Sequence, residues 1–384
     1  MELYIHIPFC IQKCKYCDFL SGPYDIEMRH AYTDALCREI LSVKDEFFHE
    51  KLSSIYIGGG TPTWLEVAYM QQIMDTVHAV FDFADDCEVT MECNPGTAGL
   101  EAFRIYRDMG VNRLSIGLQS AHAEELECLG RIHTFEKFLR TFEAARKADF
   151  SNISVDIMSA LPHQTPEKLI QTIQAVTRIR PEHISCYALM IEEGTEFYDL
   201  YHEDVVRRDK GLDTLDLPDS DMEYRLYKIA QKELEDRRYH RYEISNFCQE
   251  GKECRHNIGY WKRIPYLGVG VGAASLLKEV RYSNERDIYE YIKKIGNRQS
   301  VHVSEEPISK QEAMEEYMYL GLRMTDGITR DEFFKEFHIT VEAVFGSVLE
   351  KLEKKKMIRQ YGGRIFLTDT GMDISNQVLS EFIV

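Results

Sequence analysis

Six strand-like runs, each followed by enough chain for a helix, constrain the fold of this sequence more than any other feature. Leu3, Ile5 and Ile7 alternate with polar residues at a period of two, the spacing of side chains on one face of a strand. The same reasoning predicts strands at Ser54 to Ile57, Glu88 to Glu92, Arg113 to Leu118, Ile153 to Met158 and Ile184 to Met190. A helical period runs from about Ala31 to Phe48, and comparable lengths of chain separate the later strands. Parallel strands joined by right-handed crossovers leave their C-terminal loops on one rim. Pro8-Phe9-Cys10, Gly58-Gly59-Gly60-Thr61 and Glu92-Cys93-Asn94-Pro95 each follow a strand directly, so these three loops are expected at one mouth. The expectation is an α/β fold, a partial (β/α)6 barrel over residues 1–200.

The remainder reads as two further regions. From Asp199 to Leu217 the sequence is charged and irregular, and a helix is predicted from Ser220 to Arg238, with Ser220 as cap and Glu223 three residues on. Tyr239 to Ser275 is rich in aromatic residues and glycine without clean periodicity, and reads as loops and short strands packed on the barrel. These segments form a connecting region over residues 201–300. Helices are predicted at Ser309 to Met324, Thr329 to Phe337 and Val341 to Met357, followed by a short strand from Arg364 to Thr368. That order suggests a winged-helix-like domain over residues 301–384.

Winged shapes often bind DNA, but 46 Lys and Arg stand against 64 Asp and Glu, a net charge of -18 that repels a phosphate backbone. Nucleic acid is therefore not an expected partner, and Lys351 to Lys356 reads as a solvated helical face. No basic leader precedes an apolar run at the N-terminus, and no window reaches the length of a membrane span, so a cytoplasmic chain is expected. Of ten cysteines only Cys10, Cys14 and Cys17 cluster, which favours one metal site over a disulfide framework.

Cys10-x3-Cys14-x2-Cys17 supplies three thiolates in one short loop, and thiolates are the usual protein ligands of iron–sulfur clusters. The alternative is zinc, which wants a fourth ligand; His6 lies within a strand, and Cys37 lies on a predicted helix. Three ligands on a 4Fe-4S cluster leave one iron open. Gly58-Gly59-Gly60-Thr61-Pro62-Thr63 removes side chains at a strand end, which lets backbone groups approach a polar ligand, or simply makes a tight turn.

The cysteine spacing and the glycine loop resemble the radical S-adenosylmethionine superfamily, in which the open iron chelates the amino and carboxylate groups of S-adenosyl-L-methionine. Four segments resemble its coproporphyrinogen III oxidase-like branch more closely: Tyr4-Ile5-His6-Ile7-Pro8-Phe9-Cys10, the glycine loop, Gly110 to Ser120, and Leu161-Pro162-His163-Gln164-Thr165. The resemblance implies that Tyr4, Gly59, Gly60, Thr61, Glu92, Gln119, Arg131 and Asp156 line the S-adenosylmethionine pocket. Glu92 and Asp156 suit ribose hydroxyls or an ammonium, and Arg131 suits a carboxylate. Read without the resemblance, a carboxylate after a strand caps the next helix, and Arg131 pairs with Glu124 or Glu127.

Within the branch, the oxidases have a fourth cysteine two residues beyond the third and an extension before the first strand. Here Asp18-Phe19 follows Cys17, and nine residues precede Cys10. Both features, with His256-Asn257-Ile258-Gly259-Tyr260-Trp261, resemble the haem-chaperone members instead. The resemblance implies a carrier that binds the cluster, S-adenosylmethionine and haem (heme) and passes haem to apoproteins. The rival is a radical enzyme acting on coproporphyrinogen III or another tetrapyrrole. His256 offers an imidazole for haem iron and Tyr260 and Trp261 offer flat faces, while Cys254 is a competing ligand and a packed, hydrogen-bonded histidine is the plainer reading. A reductant of the cluster is an expected partner, and a homodimer is left open. His163 stands where relatives often have glycine.

Overall fold

The computed structural model of the chain describes residues 1–47 and 50–383. Strands β1 (Glu2–Ile7), β2 (Lys51–Gly59), β3 (Asp82–Cys93), β4 (Arg113–Gln119), β5 (Ile153–Ser159) and β6 (His183–Ala188) lie side by side in sequence order, all parallel. All six predicted strands are present, and helices Ile26–Ser42, Val67–Val80, Leu100–Asp108, Phe135–Lys147 and Pro166–Arg178 make the crossovers. Alternation along each strand sorts the side chains. Leu3, Ile5, Ile55, Ile57, Val89, Met91, Leu114, Ile116, Val155 and Ile157 join the core shared with the helices. The opposite face carries Tyr56, Glu92, Arg113, Ser115, Asp156, Ser185 and Tyr187, which line an interior cavity.

Residues 201–300 do more than pack on the barrel. Strand β7 (His240–Arg241) pairs with β8 (Asn246–Cys248), which runs antiparallel to β6, while β9 (Tyr266–Val269) pairs in parallel with β1. Strands β10 (Ala274–Leu277), β11 (Val280–Asn284) and β12 (His302–Pro307) continue outward as antiparallel neighbours, giving a 12-stranded sheet among the described residues. The physical reason is edge satisfaction: β1 and β6 would otherwise leave rows of unpaired backbone groups.

Several local expectations are corrected. The segment read as irregular from Asp199 begins inside a helix, Glu196–Asp209, capped by Thr195, so residue 200 lies within an element. The next helix, Ser220–Glu235, is capped by Asp219, whose side chain accepts from the Met222 amide; Ser220 is its first helical residue. The first helix begins five residues earlier than expected, at Ile26, and a short turn Lys44–Phe47 follows it; Phe48 lies outside the described residues. His163 adopts the left-handed conformation that glycine takes freely, with φ of 55°, and its amide donates to the Asp216 carbonyl at 2.9 Å. The His163 imidazole also lies 3.2 Å from the Asp216 carboxylate.

The C-terminal domain has the expected winged-helix-like shape. Helices Lys310–Gly321, Arg330–Phe337 and Val341–Lys354 surround a separate core that includes Met318, Phe333, Phe345 and Phe382. Strands β13 (Ile328–Thr329), β14 (Ile358–Tyr361) and β15 (Arg364–Leu367) form its antiparallel sheet in the order β13-β15-β14. Ser309 and Glu312 close a full capping box on the first of these helices. Among the described residues no helix is long and apolar enough to cross a membrane.

Candidate functional site

The cysteine loop begins where β1 ends, and backbone bonds pin it on two sides. The Cys10 amide donates to the Gly22 carbonyl and the Gly22 amide to the Pro8 carbonyl, each at 3.0 Å. From β2, the Gly60 amide donates to Ile7 and the Thr61 amide to Phe9, both at 2.8 Å. The glycines serve this approach of loop to loop. A Cβ on Gly60 would lie 2.8 Å from the Phe9 carbonyl oxygen, and one on Gly59 would lie 2.5 Å from the His6 ring. Gly59 also has φ of 112°, a conformation that side chains resist.

Cys10, Cys14 and Cys17 line one wall of a cavity of about 330 Å³ at the C-terminal rim of the strands, together with Gly59, Gly60, Glu92, Gln119, Arg131 and Asp156. Six of the eight residues expected at an S-adenosylmethionine pocket therefore share this cavity with the cysteines. The other two reach it indirectly. Thr61 Oγ1 is 3.4 Å from Cys10 Sγ. The Tyr4 hydroxyl meets His6 Nδ1 at 3.0 Å, and His6 Nε2 meets the Leu20 carbonyl at 2.8 Å, so Tyr4 braces the cysteine loop through His6.

Arg131 does not pair with Glu124 or Glu127. Its Nη2 donates to Asn94 Oδ1 at 2.7 Å and to the Gly117 carbonyl at 2.6 Å, and its Nη1 points at Cys14 Sγ at 3.5 Å. Asn94 in turn donates to Thr61 Oγ1 at 2.6 Å, which closes a chain of contacts from Arg131 back to Cys10. The Arg131 Nε is buried without a protein partner. Gln119 holds φ of 71° at the end of β4 and accepts from the Tyr187 hydroxyl at 3.3 Å. Such a conformation in a non-glycine residue is costly and recurs at binding sites.

Glu92 accepts from the Tyr56 hydroxyl at 2.9 Å and from the Gly59 amide at 3.1 Å, so it is not a helix cap. Burial pushes its carboxyl up to about 7; the Tyr56 hydrogen bond opposes this, and the Asp156 charge adds to it. Asp156 is likewise raised by burial, against hydrogen bonds from Ser185, Ser115 and Ser154. The thiol of Cys17 is pushed up to about 11 by burial, and that of Cys10 is raised for the same reason. Binding of iron to these sulfurs would therefore release protons.

The six-residue segment at 256–261 is helical, within Arg255–Trp261, and sits at the opposite, N-terminal end of the strands. His256 is 1% exposed. Its Nδ1 lies 2.8 Å from Ser54 Oγ and its Nε2 lies 3.1 Å from the Tyr260 hydroxyl, while the ring stacks beneath Tyr56 at 5.2 Å between centroids. Burial first, then the positive charge of Arg113, pushes the imidazole down to about 3, so it is neutral. Both nitrogens have partners, so the fold displays the packed, hydrogen-bonded histidine that was the plainer of the two sequence readings. Tyr260 stands edge-on to His256 and Tyr266, and Arg323 lies 4.4 Å over the Trp261 ring. Cys254, the rival ligand, is fully buried with its sulfur 3.6 Å from Glu88 Oε1. Helix and barrel meet closely here, since a Cβ on Gly259 would overlap the Glu2 carboxylate at 2.0 Å. The segment is thus a plug in the barrel floor, and Asn257 projects from it into the cysteine-lined cavity.

Sequence reasoning missed Tyr16, Tyr56, Asn94, Tyr187 and Asn257 as cavity residues. The signal for Tyr56 and Tyr187 was available: each lies two residues from a polar residue on an otherwise apolar strand. Asn94 and Asn257 stood inside segments already singled out, but no local pattern says which way they point.

The family profile for the Radical SAM superfamily matches residues 4–176, and that for the HemN C-terminal domain matches residues 308–374. The chain is 34% identical over 381 residues to the heme chaperone HemW of Bacillus subtilis, covering 99% of this chain and 98% of the relative. It is 36% identical over 274 residues to the heme chaperone HemW of Escherichia coli, covering 71% and 69%. It is 31% identical to the zebrafish (Danio rerio) radical S-adenosyl methionine domain-containing protein 1, mitochondrial, covering 96% and 82%. Among solved structures, coproporphyrinogen III oxidase of Escherichia coli, a radical SAM enzyme, superposes with a TM-score of 0.84 over 99% of this chain and 89% of that one. At 21% identity that likeness establishes the fold.

Proposed function

The chain belongs to the family of the haem chaperone HemW within the radical SAM superfamily, and from that membership we propose that it binds haem and delivers it to apoproteins. The observation that carries this reading is similarity to haem chaperones along essentially the whole chain, including the floor helix and the C-terminal domain.

We further infer that the rim cavity takes a 4Fe-4S cluster and S-adenosylmethionine. The donor set fits: three cysteines face one cavity, and the buried Nε of Arg131 lacks a protein partner beside them. Cys10, Cys14 and Cys17 would hold three irons. A cluster so held supplies a one-electron couple and one iron with open coordination. Arg131 supplies a fixed positive charge for a carboxylate, already oriented by Asn94 and the Gly117 carbonyl. Glu92 and Asp156 supply acceptors for hydroxyl or ammonium donors deeper in the cavity. Tyr4 and His6 keep the cysteine loop in register with β1.

The reading is tested with anaerobically reconstituted protein. Incubation with haem should give a Soret band, and mixing with apomyoglobin should move that haem to the acceptor. Conversion of coproporphyrinogen III to protoporphyrinogen IX in the presence of S-adenosylmethionine and dithionite, with no haem bound, would overturn the carrier reading in favour of a tetrapyrrole enzyme.

A further inference from the structure

At the edge of the sheet beyond β6, His240 and Cys248 stand directly opposite each other on the antiparallel strands β7 and β8. Side chains of such a pair emerge on the same face. His240 Nε2 lies 3.4 Å from Cys248 Sγ. Gly251, with φ of 72°, turns the chain back after β8 and brings Glu253 over the pair, with Oε1 2.9 Å from His240 Nε2. Ligand atoms of His240, Cys248 and Glu253 all lie within 4.8 Å of one another.

We propose that His240, Cys248 and Glu253 form a binding site for a divalent transition-metal ion, with zinc as its simplest occupant. Two observations support it. An ion about 2.0–2.3 Å from nitrogen, oxygen and sulfur ligands in tetrahedral geometry separates those ligands by about 3.3–3.7 Å; the observed 3.4 Å is in that range, and 2.9 Å needs a small outward shift of Glu253. The charges balance, since a thiolate, a carboxylate and a neutral imidazole cancel a doubly charged cation.

The ligand set is completed asymmetrically. Cys248 is wholly buried, whereas His240 and Glu253 line a cavity of about 600 Å³ with Tyr242, Trp261 and Met324. Three protein ligands leave a fourth position, and here it faces that cavity, as in zinc sites that exchange a ligand instead of closing the shell. Cys254, next to Glu253, begins the floor helix Arg255–Trp261. A metal at this site would therefore tie the β7–β8 hairpin to the start of that helix.

The plain alternative is an ion pair, His240 with Glu253, beside a buried thiol. Two measurements separate the readings. Cluster-loaded protein is dialysed anaerobically against Zn2+ and its zinc content measured, alongside His240→Gln, Glu253→Gln and Cys248→Ser. The expected result is one zinc per chain beyond the cluster in the wild type, lost from each variant while cluster absorption is retained. In the full chain carrying Cys10→Ser, Cys14→Ser and Cys17→Ser, Co2+ should give a thiolate charge-transfer band that His240→Gln weakens and Cys248→Ser removes. Should Cys248→Ser fail to fold, His240→Gln and Glu253→Gln, both at solvent-accessible positions, decide the question. No bound zinc in the wild type, or zinc content unchanged in these two variants, overturns the site.

Discussion

The guanidinium of Arg131 points one nitrogen at Cys14 Sγ, 3.5 Å away, while its other terminal nitrogen is held by Asn94 and the Gly117 carbonyl. This contact spans 117 residues of chain and puts a fixed positive charge beside a cysteine expected to hold iron. It couples the part of the cavity that would grip a carboxylate to the part that would hold the cluster.

Arg131→Lys should therefore weaken S-adenosylmethionine binding about 10- to 100-fold, on the order of 1.5–3 kcal/mol, because lysine keeps the charge but loses the planar fork. Isothermal titration on cluster-loaded protein reads the affinity, and iron content should stay at the wild-type level. Equal affinity in both proteins would remove Arg131 from the ligand set.

Iron and sulfide retention should depend on each cysteine of the rim loop and on none of the buried helix or strand cysteines. Cys14→Ala is expected to lose the cluster, whereas Cys37→Ala, on the buried face of the first helix, is expected to keep it. Iron and sulfide analysis after anaerobic reconstitution checks both. Retention in Cys14→Ala with loss in Cys37→Ala would reverse the assignment.

Glu92 should make stability of the cofactor-free chain depend on pH. Its folded carboxyl titrates at about 7 against an ordinary 4.5, raised chiefly by burial. Below 4.5 both states hold the proton; between the two values the folded state keeps it while the unfolded state sheds it. Stability from this group is therefore present at low pH and is lost as pH rises through that window, by on the order of 3 kcal/mol. Urea unfolding from pH 5 to 8 should show Glu92→Gln gaining on the wild type as pH rises. A constant difference across the range would show that Glu92 titrates normally.

His256→Ala should act on stability before it acts on any ligand. The change leaves Ser54 Oγ without its buried partner and empties space under Tyr56, at a cost of about 2–4 kcal/mol. Thermal unfolding should fall clearly while cluster absorption and the position of the haem Soret band are unchanged. A shifted Soret band with an unaltered unfolding midpoint would instead put this imidazole on haem iron.

Much of the barrel was legible because its signals are local. Strand period two and the helical crossovers each depend on residues within a few positions of one another. The cysteine loop was legible for the same reason, since its three thiols lie within eight residues. Convergence of the cysteine loop, the glycine loop and the loop after Glu92 followed from parallel topology, which sends every βα loop to one rim, whereas Gln119, Arg131 and Asp156 were implied only by the family resemblance.

Sequence by itself thus determined which elements form and which end of the sheet carries chemistry. Tertiary structure alone decided the partners. Arg131 faces Glu124 and Glu127 in a helical reading, yet it turns to Asn94 and Cys14 because the barrel brings those loops beneath it. The hexapeptide leaves His256 open as a ligand or as a packed histidine, and it is β2, 202 residues away in sequence, that supplies Ser54 to its ring. Strands β9 and β8 were illegible as sheet members because a three- or four-residue segment has too little pattern to announce itself; the open edges of β1 and β6 recruit them. Periodicity encodes what a segment buries, and only the folded chain determines what it buries it against.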